Sequence, residues 1–191
     1  MYKAIIFDFF GVFCTNLSLE WLKTTSPDYK EKLPEYLEIC QQNDAGKITI
    51  DQFHEKLANL AGVDADDVIK GMQEAMIIDQ NLVSLTRKLK KQYEIALLSN
   101  AQSETVLEIL DEHKIRDLFD VIVVSSDIGI IKPDRNIFEH TISKLGCNIQ
   151  ESIFIDDSAI NTQAAEKYGL RSIEYVDCPG LEIQLKSAEI I

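Results

Sequence analysis

Five short apolar runs mark the predicted strands of this chain. They are rich in Ile, Val, Leu, Phe or Tyr and lie at residues 3–8, 94–98, 121–124, 152–156 and 171–175. Nearly continuous apolar runs are typical of parallel strands that are buried on both faces. The pattern therefore predicts a five-stranded parallel sheet.

Helical patterns separate these strands. In the second half of the chain, apolar residues recur at helical spacing over 102–113, 134–145 and 158–168, and Gly146 and Gly169 follow the last two at C-cap positions. Alternating strands and helices predict an α/β fold, a Rossmann-like doubly wound sheet with right-handed crossovers. In such a sheet, ligands collect at the carboxyl ends of the strands.

The connection between the first and second strands is too long for one crossover helix. Its pattern predicts five helices, at 17–24, 28–42, 49–60, 64–76 and 79–92, with Thr49 and Asp64 as N-caps. We expect residues 1–15 and 79–191 to form the core domain, and residues 16–78 to form a small helical cap over its active edge.

One segment of the cap looks like part of a calcium-binding loop. Residues 43–48 carry Gly46 and Ile48 at the expected places, but Gln41, Ala45 and Gln52 stand where side-chain ligands are needed. The segment is therefore predicted to be a turn. The cap aromatics Trp21, Tyr29, Tyr36 and Phe53 could line a pocket, although helical spacing favours core packing.

Charge and cysteine content narrow the class of protein. A formal net charge of -13 argues against a nucleic-acid surface or a basic membrane-binding face. The short first apolar run carries Asp8, which does not fit a signal peptide, and no run is long enough to cross a bilayer. Four scattered cysteines favour reduced thiols and a cytoplasmic location. Oligomeric state stays open.

Polar side chains follow four of the apolar runs: Asp8, Ser99-Asn100, Lys132 before Pro133-Asp134, and Asp156-Asp157. Taken alone, each of these residues could have a purely structural role, such as a helix cap or a position in a surface loop. Together they supply a carboxylate nucleophile, a hydroxyl, an ammonium and an acidic pair at one edge of a sheet. Adjacent acids repel each other unless a cation compensates, so the set predicts a site that binds Mg²⁺.

Four segments, FDFFGVF, LLSN, GIIKPDRNIF and FIDDSAINTQAAEKYGL, resemble in order the signatures of the haloacid dehalogenase superfamily of hydrolases. The versions here are most similar to the branch of the sugar-phosphate phosphatases and the amino-terminal phosphatase domain of soluble epoxide hydrolase. The resemblance implies a magnesium-dependent phosphohydrolase that acts on a small phosphorylated metabolite through an aspartyl-phosphate.

The same resemblance implies residue roles. Asp8 would be the nucleophile, with Ser99 and Lys132 as catalytic phosphate-site residues. The metal ligands would be Asp8, the main-chain carbonyl of Phe10, and Asp157, with Asp156 as its acidic neighbour. Substrate contacts would come from Phe9, Phe10, Ser99, Asn100 and Lys132.

Position 10 departs from most phosphatases of the superfamily, which have a second aspartate there as general acid and base. Phe10 can do neither. An aromatic residue at this place is similar to the 2-haloacid dehalogenases, although those enzymes work without a metal and lack the acidic pair. Two alternatives therefore stay open: a dehalogenase-like hydrolase that displaces halide from a short acid, and a catalytically silent protein that binds phosphate or a metabolite.

Overall fold

The sheet at the centre of the protein has the five predicted strands in parallel. The computed structural model describes residues 2–191. Its strands are β1 Ala4–Phe7, β2 Glu94–Ser99, β3 Val121–Val124, β4 Ser152–Asp156 and β5 Arg171–Glu174, in the order β3-β2-β1-β4-β5. Ile6 of the central strand pairs with Ala96 of β2 and with Phe154 of β4. The carboxyl ends of β1, β2 and β4 therefore meet at one edge.

Helices cover both faces of the sheet, which confirms the predicted doubly wound α/β class. Helices follow the strands as α1 Leu17–Thr25, α2 Tyr29–Asp44, α3 Ile50–Ala61, α4 Ala65–Glu74, α5 Gln80–Leu89, α6 Ser103–Glu112, α7 Ser125–Ile128, α8 Arg135–Leu145, α9 Ala159–Lys167 and α10 Cys178–Ser187. Because side chains alternate along a strand, Ile5 and Phe7 enter one core cluster, and Ile6 enters another with Phe138 of α8. Burial on both faces is the reason for the apolar runs.

The five helices predicted between β1 and β2 are present as α1 to α5. Thr49 forms a capping box with Gln52 at the start of α3, whereas Asp64 occupies the N-cap position of α4 without a side-chain bond. The turn predicted at 43–48 joins α2 to α3. Trp21 packs so closely on α4 that a Cβ at Gly71 would lie 2.2 Å from its ring, which fixes α1 against α4.

The chain leaves and re-enters the sheet region at adjacent points. Cys14 forms an antiparallel bridge with Ile78, and the Asp79 amide donates to the Phe13 carbonyl at 2.9 Å. The inserted helical segment therefore begins and ends at residues that are bonded to each other. This pairing supports the proposal of a core domain at 1–15 and 79–191 and a cap at 16–78.

Two helices had no counterpart in the sequence predictions. The first, α10, has Pro179 and Gly180 in its first turn, and the Asp177 side chain caps it by accepting from the Gly180 amide at 2.7 Å. The second, α7, has only four residues. Within residues 2–191, no helix has the length and apolar character that a membrane span requires.

Candidate active site

Asp8 lies immediately beyond the central strand. Its amide donates to the Ile155 carbonyl at 2.8 Å, which extends the β1–β4 pairing by one residue, and its Oδ1 accepts from the Phe9 amide at 2.7 Å. The chain then turns at Gly11, where φ is +86°. The carboxylate is thereby held in a buried position at the edge where the strands end.

Lys132 joins two of the predicted acids. Its Nζ lies 2.8 Å from Asp8 Oδ1 and 2.7 Å from Asp156 Oδ2, and it donates to the Leu98 carbonyl at 3.0 Å. These contacts use all three donors of a fully buried ammonium. Burial alone would lower the Lys132 pKa, but the charges of Asp8 and Asp156 outweigh it and raise the pKa. Lys132 is therefore held charged at the bottom of the site.

Asn100 fixes the main chain on which Lys132 lies. Its Oδ1 accepts from the Lys132 amide at 2.7 Å, and its Nδ2 donates to the Lys132 carbonyl at 3.0 Å. The asparagine after β2 thus positions the loop between α7 and α8. This positioning contact is a role that the sequence did not reveal, in addition to the predicted substrate contact.

The three predicted acids converge. Asp8, Asp156 and Asp157 each offer a carboxylate oxygen within 4.8 Å of the others. Both oxygens of Asp156 are engaged, since Oδ2 contacts Lys132 and Oδ1 accepts from the Ser158 amide at 2.8 Å, and Asn161 donates to both. Among residues 2–191, neither Asp8 Oδ2 nor the Asp157 carboxylate receives a comparable hydrogen bond. Asp8 and Asp157 therefore have the oxygens best placed to bind a cation.

The charge of this cluster suits a divalent cation. Burial raises the pKa of Asp8 well above its usual range, Lys132 opposes the rise, and Asp156 and Asp157 add to it. Desolvation and the charge of Asp156 likewise raise the Asp157 pKa. Three carboxylates and one ammonium leave uncompensated negative charge, which a cation would neutralise. The space is also adapted to Asp157, because a Cβ on Gly11 would lie 2.1 Å from its Oδ2.

Ser99, Phe9 and Phe10 occupy three different environments around Asp8. The Ser99 hydroxyl is buried and has no partner among residues 2–191, so it is free to donate to a bound anion. The Phe9 ring is fully buried, and any substrate contact by this residue is left to its main chain. Phe10 is partly exposed and packs edge-on against Phe9 at 5.0 Å.

A cavity of about 270 Å³ adjoins the site, between the inserted helices and the strand ends. Core residues line one part of it, namely Phe10, Asn100, Ala101, Gln102 and Thr105, and Asn16 and residues of α1 to α4 line the rest. Two of the predicted aromatics, Tyr36 and Phe53, lie on its wall, whereas Trp21 packs on Gly71. Which helical residues face a cavity is not visible in one sequence.

The turn between α2 and α3 is tied to the core beside this cavity. Gln102 donates to the main-chain carbonyls of Asn43 and Ile48 at 3.1 and 2.7 Å, and the Ser125 hydroxyl donates to the Asp44 carbonyl. Burial raises the pKa of the Asp44 carboxyl to about 7. Sequence reasoning missed Asp44 because the segment was interpreted only as a turn. It also assigned no role to Asn161, although the DDSAIN segment contains it.

Comparison with known proteins places the chain in a family. The profile of the haloacid dehalogenase-like hydrolases matches residues 5–175. The chain therefore belongs to this family, and it is an enzyme of the hydrolase class.

Particular relatives are similar along most of their length. A sesquiterpene phosphatase, astK, of Aspergillus oryzae is 27% identical over 92% of this chain and 91% of its own. A D-ribitol-5-phosphate phosphatase of Bacteroides thetaiotaomicron is 26% identical over 91% and 92%. A structure of a HAD family enzyme from Bacteroides thetaiotaomicron, in complex with magnesium and inorganic phosphate, superposes with a TM-score of 0.74 at 24% identity, over 91% of this chain and 93% of that chain. This last likeness shows the common fold.

Proposed function

We propose that this hydrolase is a magnesium-dependent phosphatase that acts on a small phosphorylated metabolite through an aspartyl-phosphate on Asp8. The observation that carries the proposal is the buried Lys132 ammonium between Asp8 and Asp156, within an acidic cluster that still lacks a compensating charge. A site of this charge needs a cation, and a phosphoryl group needs the positive charge that Lys132 and a cation provide together.

The first half of the reaction forms a bond between one carboxylate oxygen of Asp8 and phosphorus. The bond from phosphorus to the ester oxygen breaks, and that oxygen leaves with the electron pair and takes a proton from water. Ser99 Oγ donates to one phosphoryl oxygen, and Lys132 holds another while it keeps Asp8 ionised. A Mg²⁺ held by Asp8, Asp157 and the Phe10 carbonyl would neutralise phosphoryl charge.

The second half releases inorganic phosphate. A water oxygen attacks phosphorus, the bond to the Asp8 oxygen breaks, and the carboxylate is regenerated. The proton that the attacking water loses passes to solvent, which replaces the proton taken by the departing ester oxygen. Asp156 does not touch the substrate in this scheme; it positions Lys132 through the 2.7 Å contact. Asn161 and the Ser158 amide hold Asp156 in turn.

Phe10 predicts which phosphate esters are hydrolysed. It supplies no proton to the departing oxygen, and the loss of a general acid typically lowers a rate by about 10²–10⁴. Esters whose oxygen departs readily are therefore the better substrates. The presence of Phe10 also favours the alternative of a catalytically silent binding protein. The dehalogenase alternative does not explain the acidic pair Asp156-Asp157, because it requires no metal.

A phosphatase screen with Mg²⁺, Mn²⁺ and chelator tests the proposal. Turnover should need the metal, and Asp8→Asn should abolish both turnover and the capture of beryllofluoride. The matched control is Asp51→Asn, an exposed acid on α3. Metal-independent release of chloride from 2-chloropropionate would instead identify a dehalogenase.

A further inference from the structure

The cavity next to Asp8 has an apolar wall. Six hydrophobic side chains from α1 to α4 face it: Leu17, Leu19, Leu37, Ile50, Phe53 and Met72. Cavities lined in this way gain affinity by removing apolar ligand surface from water. Polar side chains also line the cavity, but the Ser18 and Tyr36 hydroxyls bond each other at 2.8 Å, and Gln102 already donates to two main-chain carbonyls. An alcohol rich in hydroxyl groups would lose hydrogen bonds to water on entering and would find few unengaged partners, such as Asn43 Oδ1.

Phe10 connects this wall to the reacting centre. Phe10 and Asn100 belong to the cavity lining, and Asn100 is hydrogen-bonded to the main chain of Lys132. A phosphate held at Lys132 therefore has its ester substituent directed along Phe10 into the cavity. Most phosphatases of the superfamily have an aspartate at position 10, whereas this chain has the aromatic ring of Phe10. The part of the cavity nearest to the phosphate is therefore apolar as well.

The charges of the cavity exclude a second anionic group. Among residues 2–191, no lysine or arginine lines it, and Asp44 places a carboxyl on its wall. With the Asp44 pKa at about 7, this carboxyl is partly ionised at neutral pH. A carboxylate or a second phosphate on the substrate would meet repulsion without a compensating cation.

The volume leaves room for a sizeable substituent. The cavity of about 270 Å³ is several times the roughly 30 Å³ that one water-sized group occupies in the liquid. A substituent of this size extends well beyond a methyl or ethyl group. Larger groups would have to pass the exposed Leu37 at the cavity rim.

We infer that the substrate is a phosphate monoester of an apolar alcohol or phenol, whose substituent lies in the cavity and carries no further anionic group. This inference rests on the proposed phosphatase function. It specifies the substrate class that the cap selects, which the catalytic residues alone leave open.

Three aryl phosphates separate polarity from leaving-group effects. They are 4-propylphenyl phosphate, 4-(2-hydroxyethyl)phenyl phosphate and 4-(2-carboxyethyl)phenyl phosphate, whose saturated linkers leave the phenol pKa values similar. With Mg²⁺, kcat/KM should be at least about tenfold higher for the propyl compound than for the carboxyethyl compound, as expected when several apolar groups are buried. The hydroxyethyl compound should lie between them.

A pair of phosphonates tests binding without turnover. Heptylphosphonate and 6-carboxyhexylphosphonate have the same chain length and cannot be hydrolysed. In calorimetric titrations with Mg²⁺, the heptyl compound should bind at least about tenfold more tightly. Equal affinities, tighter binding of the carboxylate, or no binding of either would overturn the inference.

A substitution in the cavity lining tests whether the cavity causes the preference for the apolar ester. Leu37 is 61% exposed, so Leu37→Ser should fold, and it should reduce the ratio of kcat/KM for the propyl over the carboxyethyl compound. The matched control is Ile183→Ser, 64% exposed on α10 and away from the cavity, which should leave the ratio unchanged.

The outcomes separate the inference from the function it rests on. Turnover of all three esters with no preference, or a preference for the carboxyethyl compound, keeps the phosphatase and rejects the apolar substrate. No turnover of any ester, together with tighter binding of heptylphosphonate, rejects the phosphatase and keeps the apolar ligand.

Discussion

Gly11 and Asp157 occupy neighbouring space so tightly that a Cβ on the glycine would lie 2.1 Å from the aspartate Oδ2. The two residues belong to different segments, the turn after β1 and the loop after β4. The missing side chain at Gly11 leaves the space in which the Asp157 carboxylate approaches Asp8. A glycine at position 11 is thus required by the carboxylate opposite as well as by the turn.

Gly11→Ala should displace Asp157 and weaken Mg²⁺ binding more than about tenfold, which corresponds to more than about 1.4 kcal/mol. Gly146→Ala is the matched control, because its φ of +64° carries a similar backbone cost and no atom lies within 4 Å of the added Cβ. Calorimetric titration of both variants measures the difference. Equal Mg²⁺ affinities in the two would contradict the role of the Gly11–Asp157 contact.

Asp157→Asn should have opposite effects with and without metal. In chelator, it removes a carboxylate whose pKa is raised by desolvation and by Asp156, so the melting temperature above neutral pH should rise. With saturating Mg²⁺, the wild type should gain stability that the variant does not gain. Thermal melts at several Mg²⁺ concentrations show both effects. A variant that still gains the full stability from Mg²⁺ would exclude Asp157 as a ligand.

Lys132→Met should be strongly destabilising, because it leaves Asp8 and Asp156 buried without their counter-charge. Removing one partner of a buried ion pair typically costs about 3–5 kcal/mol. The loss should shrink at acidic pH, because burial raises the pKa of Asp8 well above its usual range and a protonated Asp8 needs no counter-charge. The control is Lys70→Met, whose exposed pair with Glu74 should contribute about 0–1 kcal/mol. Urea unfolding at pH 4.5 and 8 compares them, and similar losses in the two variants would contradict the buried network.

The sequence predicts the sheet and the residues at its strand ends better than it predicts the cavity. The strands were predictable because Ile5, Phe7 and Ile6 face two different cores, which makes the runs continuous. The convergence of Asp8, Ser99 and Asp156 followed from parallel strand ends meeting at one edge. These features depend on local pattern and on a general property of α/β sheets.

The cavity was not predictable in the same way. Leu37 and Asp44 lie on a helix whose rotation depends on packing against α3 and on bonds from Gln102 and Ser125 in the core. The hydrogen bonds from Gln102 and Ser125 join residues more than fifty positions apart, and no local pattern specifies them. The Asp44 pKa depends on this burial and is equally invisible in the sequence.

Asp44→Asn should change the pH dependence of stability. The folded carboxyl titrates at about 7 and the unfolded one near 3.8, so the wild type loses stability as the pH rises between these values, and the variant does not. The two should be equally stable at pH 4. At pH 8 the variant should be more stable by about 1–3 kcal/mol, less than the roughly 4 kcal/mol of the full shift because the cavity reaches solvent.

Chemical denaturation at pH 4, 6 and 8 measures this curve. Glu35→Gln is the control for the loss of a carboxylate, since Glu35 is an exposed acid on the same helix. A constant difference between Asp44→Asn and wild type would show that Asp44 is solvated like an ordinary surface acid.

The last prediction concerns the missing general acid. With Phe10 in place, the rate on aryl and alkyl phosphates should fall steeply as the leaving-group pKa rises, because no side chain at position 10 protonates the departing oxygen. Phe10→Asp should flatten this dependence and raise turnover of ordinary alkyl phosphates. Phe10→Asn is the matched control, with the same shape and no acid, and should keep the steep slope. If Phe10→Asp folds and binds Mg²⁺ but gains nothing on any ester, the site does not transfer phosphoryl groups, and the binding-protein alternative becomes the better interpretation.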